Sequence, residues 1–182
     1  MTDELSKISV DAHHPYTVMT VCTGNICRSP MAEIVLRNEF VLRGLGDVVV
    51  VHSSGVSDEE YGNPIDRRAQ RELTKRGYGL PVSHFAHRIE ADEIAETNLF
   101  LPMTASHMRS LLRLLPAEKR EFVHMYREFD PSLPKPELGR EMLLDLADPW
   151  YGGPREFEVA LDQVEECAPY IVDWVAARIE RA

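Results

Sequence analysis

The chain has 182 residues, 30 of them acidic and 20 basic, for a formal net charge of −10. That length suits a single domain whose core needs no disulfide or metal staple, and 44% hydrophobic with 27% charged residues is an ordinary globular balance. The acidity excludes nucleic acid and anionic membrane as partners, since both need a broad basic face, and any bound anion has to be captured locally.

In chain order, about the first 15 residues precede any strand signal and are expected to be a disordered tail on one domain spanning 1–182. Thr17 to Val21 is a β-prone run that stops at Thr23-Gly24-Asn25, and Met31 to Leu42 has helical spacing with Ile34, Val35, Val41 and Leu42 on one face. Pro30 suits the first helical position and Ser29 the cap before it. Val48 to His52 is a continuous apolar run, the mark of a strand buried on both faces, closed by Ser53-Ser54-Gly55. Pro64 starts the next helix, carried by Ala69 and Leu73 to a stop at Gly77. Thr97 to Met103 predicts a third strand, Ser106 to Leu115 a helix, and Phe122 to Tyr126 a fourth strand. Asp130 to Gly139, with three prolines and a glycine, predicts an irregular surface loop, and the last helix is expected from about Arg155 to Arg181, kinked or split at Pro169. Strands alternating with helices predict an α/β fold, a parallel sheet covered on both sides.

No apolar run approaches the roughly 20 residues of a membrane span, and the amino terminus lacks the apolar stretch of a signal peptide. Three cysteines do not make a disulfide framework, so a reducing cytoplasm is the expected setting. No C-x-x-C or H-E-x-x-H spacing occurs, and neither a metal nor a cofactor is expected.

The chemistry concentrates between the first strand and the first helix, in Cys22-Thr23-Gly24-Asn25-Ile26-Cys27-Arg28-Ser29-Pro30. In an open parallel sheet ligands bind at such a junction, where backbone N–H groups and a helix N-terminus cradle a phosphate. The same N–H groups stabilise a thiolate, so Cys22 reads as a nucleophile aimed at phosphorus and Arg28, six residues on, as a bidentate clamp on the phosphate oxygens. A cysteine and an arginine at that spacing are common by chance. The preceding strand, the internal glycine and the Ser-Pro helix start give the pair its weight.

The string VCTGNICRSPMAE resembles the phosphate-binding loop of low-molecular-weight protein tyrosine phosphatases. SSGVSDEEYGNPIDRRA, SHFAH, FDP and DPWYGG follow in that family's order along nearly the whole chain. The resemblance implies a three-layer flavodoxin-like fold with a four-stranded parallel sheet of order 2-1-3-4 and helices on both faces. It also implies metal-independent, two-step hydrolysis of phosphotyrosine through a phosphocysteine. Thr23, Gly24, Asn25, Ile26, Cys27 and Arg28 would bind the phosphate, and Asp148 in Asp148-Pro149-Trp150-Tyr151-Gly152-Gly153 would be the acid that protonates the leaving oxygen and then activates water. On residue type alone, Asp145 and Asp130 compete with Asp148 for that role. By position, Asn25 would hold an unusual backbone conformation supported by Ser53 and His84, and Ser29 would hydrogen-bond the thiolate. His84 on its own reads more readily as a capped or merely satisfied histidine. Cys27 is either small core filler or a partner for a reversible disulfide with Cys22, and Cys167 reads as core.

Phosphotyrosine needs a deep pocket with aromatic or apolar walls. Trp150 and Tyr151 can form one wall, but where relatives usually carry Trp or Tyr on the other this chain has Glu59, inside Ser57-Asp58-Glu59-Glu60, with Tyr61 two residues on. Either that run is a solvated loop or it is an acidic pocket rim. Thr104 also departs from the aspartate that relatives often carry. Arsenate reductases that resemble this family use further cysteines near the third strand, which Leu101 to Ala105 does not offer. Protein-arginine phosphatases carry threonine where this loop has Ile26, and are the alternative reading. A non-catalytic phosphotyrosine-binding module needs neither a nucleophile nor an acid. The partners implied are phosphotyrosine proteins and, through them, a tyrosine kinase.

Overall fold

The computed structural model describes residues 7–135, 137 and 139–181. Strand β1 (Ile8–Val10) is followed by β2 (Tyr16–Cys22), α1 (Arg28–Leu42), β3 (Val49–Gly55), α2 (Arg67–Lys75), α3 (Ala91–Glu96), β4 (Leu99–Pro102) and α4 (Ala105–Leu114). Three short 3₁₀ turns then lead to α5 (Pro154–Ala176) and β5 (Ile179–Arg181). The main sheet is parallel in the order β3-β2-β4, with Val18 opposite both Val51 and Leu99.

Strand alternation sorts the side chains between two faces. Val18 and Cys22 of β2, with Leu99 and Leu101 of β4, join the core formed by Met31, Val35 and Phe40 of α1 and Phe157, Leu161 and Val164 of α5. Met19, Val21 and Phe100 point the other way, against Leu111 of α4 and Ile94 of α3. Helices therefore cover both faces of a parallel sheet, as the alternating pattern predicts. Because the sheet is parallel, the carboxyl ends of its strands and the N-termini of α1 and α4 meet at one edge of the molecule.

Several expected elements differ. The fourth strand over Phe122 to Tyr126 is a single bridge from Val123 to Phe100, supported by the His124 N–H donating to the Phe100 carbonyl at 3.0 Å. Turns at Ala117–Phe122 and Tyr126–Phe129 leave too short an extended piece between them to build a ladder, so among the described residues the main sheet has three strands rather than four. Of the expected tail, residues 1–6 lie outside the described residues. From Ile8 the chain forms β1, which pairs in parallel with β5, so Ile179–Arg181 is strand and the last helix ends at Ala176. Pro169 does not split α5, whose inward-facing side chains, from Phe157 and Leu161 to Ile171 and Val175, stay buried on both sides of the proline, which removes only one backbone donor. Helix α1 begins at Arg28 with Cys27 at the cap position, so Ser29 lies inside the first turn and is not its cap. Helix α2 begins after Asp66, whose side chain caps it through Arg68 N, rather than at Pro64. The irregular loop expected over Asp130 to Gly139 is described apart from residues 136 and 138.

Candidate active site

The loop between β2 and α1 closes around its own backbone. Asn25 stands at φ 59°, the only non-glycine positive value among the described residues, and its side chain is buried. Its amide nitrogen donates to Ser29 Oγ and to Ser53 Oγ, both at 3.0 Å, and its side-chain oxygen accepts from the His87 N–H at 3.3 Å. His84 Nε2 donates to the Asn25 carbonyl at 2.8 Å. Ser53 in turn donates to Glu33 of α1 at 2.5 Å, and Glu33 receives Arg37. The end of β3 also grips the loop, with Val56 N and Ser57 N donating to the carbonyls of Cys22 and Thr23 at 2.9 and 3.1 Å. Gly55 permits that approach, because a Cβ there would lie 2.4 Å from the Thr23 carbonyl oxygen.

Cys22 Sγ lies 3.0 Å from Ser29 Oγ. The Ser29 hydroxyl has one proton and two acceptors in reach, the Cys22 sulfur and the Ser54 carbonyl at 3.2 Å, so it can donate to a thiolate or accept from a thiol. The other two cysteines differ: burial pushes the Cys27 thiol well above its ordinary range, helped by Asp66, and pushes Cys167 up to about 12. Both stay protonated thiols.

Arg28, the first residue of α1, has its side chain only 7% exposed and ion-paired through Nη2 to Asp148 Oδ2 at 2.9 Å, while Nη1 donates to the Leu146 carbonyl at 3.3 Å. Asp148 is half-exposed and accepts from Trp150 N at 3.1 Å, which curls the Asp-Pro-Trp-Tyr loop over the pocket. The competing carboxylates are engaged elsewhere. Asp145 accepts from Ala105 N at 2.7 Å at the start of α4, and Asp130 is buried against Ser132 and Arg127.

These groups line one cavity of about 360 Å³, formed by Cys22, Thr23, Gly24, Ile26, Cys27 and Arg28 on the floor and Asp148, Trp150 and Tyr151 on one side. Glu59 and Glu60 stand on the other side, close enough that a Cβ on Gly24 would meet Glu60 Cγ at 2.7 Å. Asp58 and Tyr61 line a separate depression beside Ile89 and Ile94, so Tyr61 does not replace the missing aromatic wall.

The family model for low molecular weight phosphotyrosine protein phosphatase matches residues 17–181. The chain belongs to this family. A Mycobacterium tuberculosis relative named low molecular weight protein-tyrosine phosphatase A is 38% identical over 167 residues, covering 92% of this chain and 96% of its own. The low molecular weight protein-tyrosine-phosphatase of Streptomyces coelicolor is 36% identical over 166 residues, covering 91% and 96%. The crystal structure of a low molecular weight phosphotyrosine phosphatase from Vibrio cholerae is similar with a TM-score of 0.75 and 26% identity, over 87% of this chain and 95% of that one.

Four further residues around this family's loop escape the sequence reading. Glu33 locks Ser53, and His107 of α4 reaches the Thr23 hydroxyl. Arg68 of α2 donates to the carbonyls of Trp150 and Gly152 at 3.1 and 2.9 Å, with its guanidinium stacked over the Trp150 and Phe157 rings. Asp66 holds that guanidinium in place. Burial acts to raise the Asp66 carboxyl, but its bonds to Arg68 prevail and keep it below the ordinary range. Among the described residues no group of three or more His, Cys, Asp or Glu side chains has a metal-binding arrangement, and no helix is long and apolar enough to cross a membrane. Thr104, unexplained in sequence, caps α4 by accepting from His107 N at 3.2 Å.

Arg68 is therefore the anchor of the loop that carries Asp148. Arg68→Met keeps the apolar stem and loses both carbonyl bonds. It is expected to lower kcat on aryl phosphates about tenfold while leaving competitive inhibition by inorganic phosphate nearly unchanged, as measured by steady-state kinetics.

Proposed function

We propose that the chain hydrolyses phosphotyrosine with Cys22 as nucleophile, Arg28 as phosphate clamp and Asp148 as general acid and then base. The observation that carries this reading is the convergence of all three on one cavity: a sulfur beside a hydroxyl donor at the floor, a buried guanidinium, and a carboxylate paired to it at 2.9 Å across the opening. The phosphoryl group of the substrate takes the place of Asp148 on Arg28, and its equatorial oxygens meet the N–H groups of the loop. Once released from Arg28, the half-exposed Asp148 takes up a proton from solvent. The Cys22 thiolate attacks phosphorus in line with the tyrosine oxygen, the P–O bond breaks, and Asp148 gives that proton to the departing phenolate. The carboxylate then takes a proton from water as that water attacks the phosphocysteine, and phosphate leaves with the thiolate restored. Ser29 donates to the sulfur in both steps. The positive potential of the cradle and Arg28 does the work a metal does in other phosphatases.

Ile26 on the cavity floor and Trp150 and Tyr151 on its side favour an aromatic ring over the guanidinium of a phosphoarginine. We extend the reading to a single domain over 1–182, with the β3-β2-β4 order and the Val123 bridge as a shortened form of a four-strand sheet, acting in the cytoplasm on the products of tyrosine kinases. The free Cys22, Cys27 and Cys167 suit a reducing compartment. Glu59 and Glu60 make the open side of the cavity an acidic rim that disfavours substrates with acidic residues around the phosphotyrosine.

Cys22→Ser is expected to abolish turnover of para-nitrophenyl phosphate and to retain phosphate binding by calorimetry; activity within about tenfold of the parent refutes the nucleophile. In Asp148→Asn the loss of kcat should grow steadily with the pKa of the leaving phenol, and a uniform loss across a phenol series assigns the acid elsewhere. Glu59→Trp restores a stacking surface of ~1 kcal/mol, so KM for aryl phosphates should fall about fivefold. An unchanged KM removes Glu59 from the pocket wall.

A further inference from the structure

His107 is the third residue of α4, 4% exposed, with its ring Nε2 2.9 Å from Thr23 Oγ1. Among the described residues its other ring nitrogen, Nδ1, is buried without a hydrogen-bond partner. Burial, reinforced by the Arg28 guanidinium, lowers its pKa to about 3, so the imidazole is neutral over the range in which such chemistry runs. A neutral ring holds one proton. On Nδ1 it would be a buried donor with nothing to bond; on Nε2 it donates to Thr23, and Nδ1 is left only as an unused acceptor, the cheaper of the two defects. The proton therefore belongs on Nε2.

Thr23 follows Cys22 directly and lines the cavity. Its carbonyl is held by Ser57 N at 3.1 Å from the β3 side, and its hydroxyl by His107 from the α4 side. The peptide between Thr23 and Gly24 is thus fixed from both flanks, and that peptide carries the Gly24 N–H of the cradle. A leucine would fill the His107 site without desolvating a nitrogen, so packing alone does not account for an imidazole there.

We propose that His107 is a positioning residue for the phosphate loop: its neutral imidazole donates from Nε2 to Thr23 and sets the Thr23–Gly24 peptide in the orientation that the transition-state phosphoryl group requires. The inference rests on the phosphatase reading above. It touches no substrate atom and acts only through Thr23. Its effect therefore falls on the five-coordinate state, whose equatorial oxygens need aligned donors, more than on tetrahedral phosphate, which a misaligned loop still binds.

The test compares His107→Leu, His107→Gln and Thr23→Val in the full chain by kinetics on para-nitrophenyl phosphate, inhibition by orthovanadate and by inorganic phosphate, and thermal unfolding. His107→Leu is expected to keep or raise Tm, to lose about tenfold in kcat/KM and in orthovanadate affinity, and to change phosphate affinity less than about threefold. His107→Gln, whose amide donates from a similar place, should stay within about threefold of the parent on every measure. In the Thr23→Val background, His107→Leu should add no further loss. A folded His107→Leu with unchanged kcat/KM and orthovanadate affinity overturns the proposal, as do equal losses in Leu and Gln or additive losses with Thr23→Val. If His107→Leu does not fold, Thr23→Val alone decides, since it removes the same bond: the same selective losses support the proposal and their absence overturns it. A parent chain that is inert toward aryl phosphates overturns the phosphatase reading itself, and this inference with it.

Discussion

The left-handed backbone of Asn25 is the constraint on which the site depends. Turning a loop so that its N–H groups face inward requires one residue at positive φ, and a non-glycine there costs on the order of 1 kcal/mol. Asparagine reduces that cost and also supplies three side-chain bonds, to Ser29, Ser53 and the His87 backbone, while His84 holds its carbonyl. The restraints come from α1, β3 and the 84–87 segment, so the loop cannot relax without disturbing three separate parts of the fold. On the proposed reading, a loop held from outside in this way is oriented before a phosphate arrives, and preorganised donors of this kind lose no free energy to reorganisation as charge develops.

The other half of the site is held more lightly. A guanidinium buried to the extent of Arg28 needs a partner, and Asp148 provides it. On the proposed mechanism the phosphoryl group takes over that role, so substrate arrival and release of the acid are one exchange of anions on one cation. Arg68 anchors that loop through the Trp150 and Gly152 carbonyls, downstream of Asp148, so the carboxylate itself is held only by Arg28 and by the Trp150 N–H of its own loop. On the proposed reading, a floor bonded to three segments and a lip bonded chiefly to Arg68 correspond to the different demands of cradling a phosphate and following a proton.

How much of this was legible in the sequence depended on whether a feature was local. The phosphate loop was, because Cys22, Gly24, Arg28 and the Ser-Pro start lie within one strand-to-helix turn, and the resemblance supplied Asn25, Ser53, His84 and Asp148. The three strands of the main sheet also announce themselves, Val48 to His52 as a continuous apolar run and Thr17 to Val21 and Thr97 to Met103 as β-prone stretches. Phe122 to Tyr126 has the same local character, yet the turns on either side leave it a single bridge, a decision made by its neighbours rather than its own residues. Strands β1 and β5 are three residues each and exist only because they meet. Ser29 illustrates the converse: its place before Pro30 suits a cap, but its hydroxyl is claimed by Cys22, Asn25 and Ser54. Arg68 and His107 approach from distant segments, and an arginine on an amphipathic helix or a histidine three residues past a cap gives no local sign of such a role.

The acidity of the chain acquires two meanings in the structure. Most of its carboxylates are spread over a solvated surface, but Glu59 and Glu60 stand beside Gly24, where absence of a Cβ lets the Glu60 stem lie against the phosphate loop. Screening in physiological salt confines their field to roughly 8 Å, so they act on a substrate only once it is at the cavity mouth. On the proposed reading they oppose the incoming dianion there, and the loop N–H groups and Arg28 have to overcome them. A basic residue beside the phosphotyrosine would neutralise the rim on approach, whereas an acidic one would add to it. On the proposed reading the rim trades encounter rate for discrimination among flanking sequences, and it does so from beside Gly24, leaving Cys22, Arg28 and Asp148 to carry out the reaction.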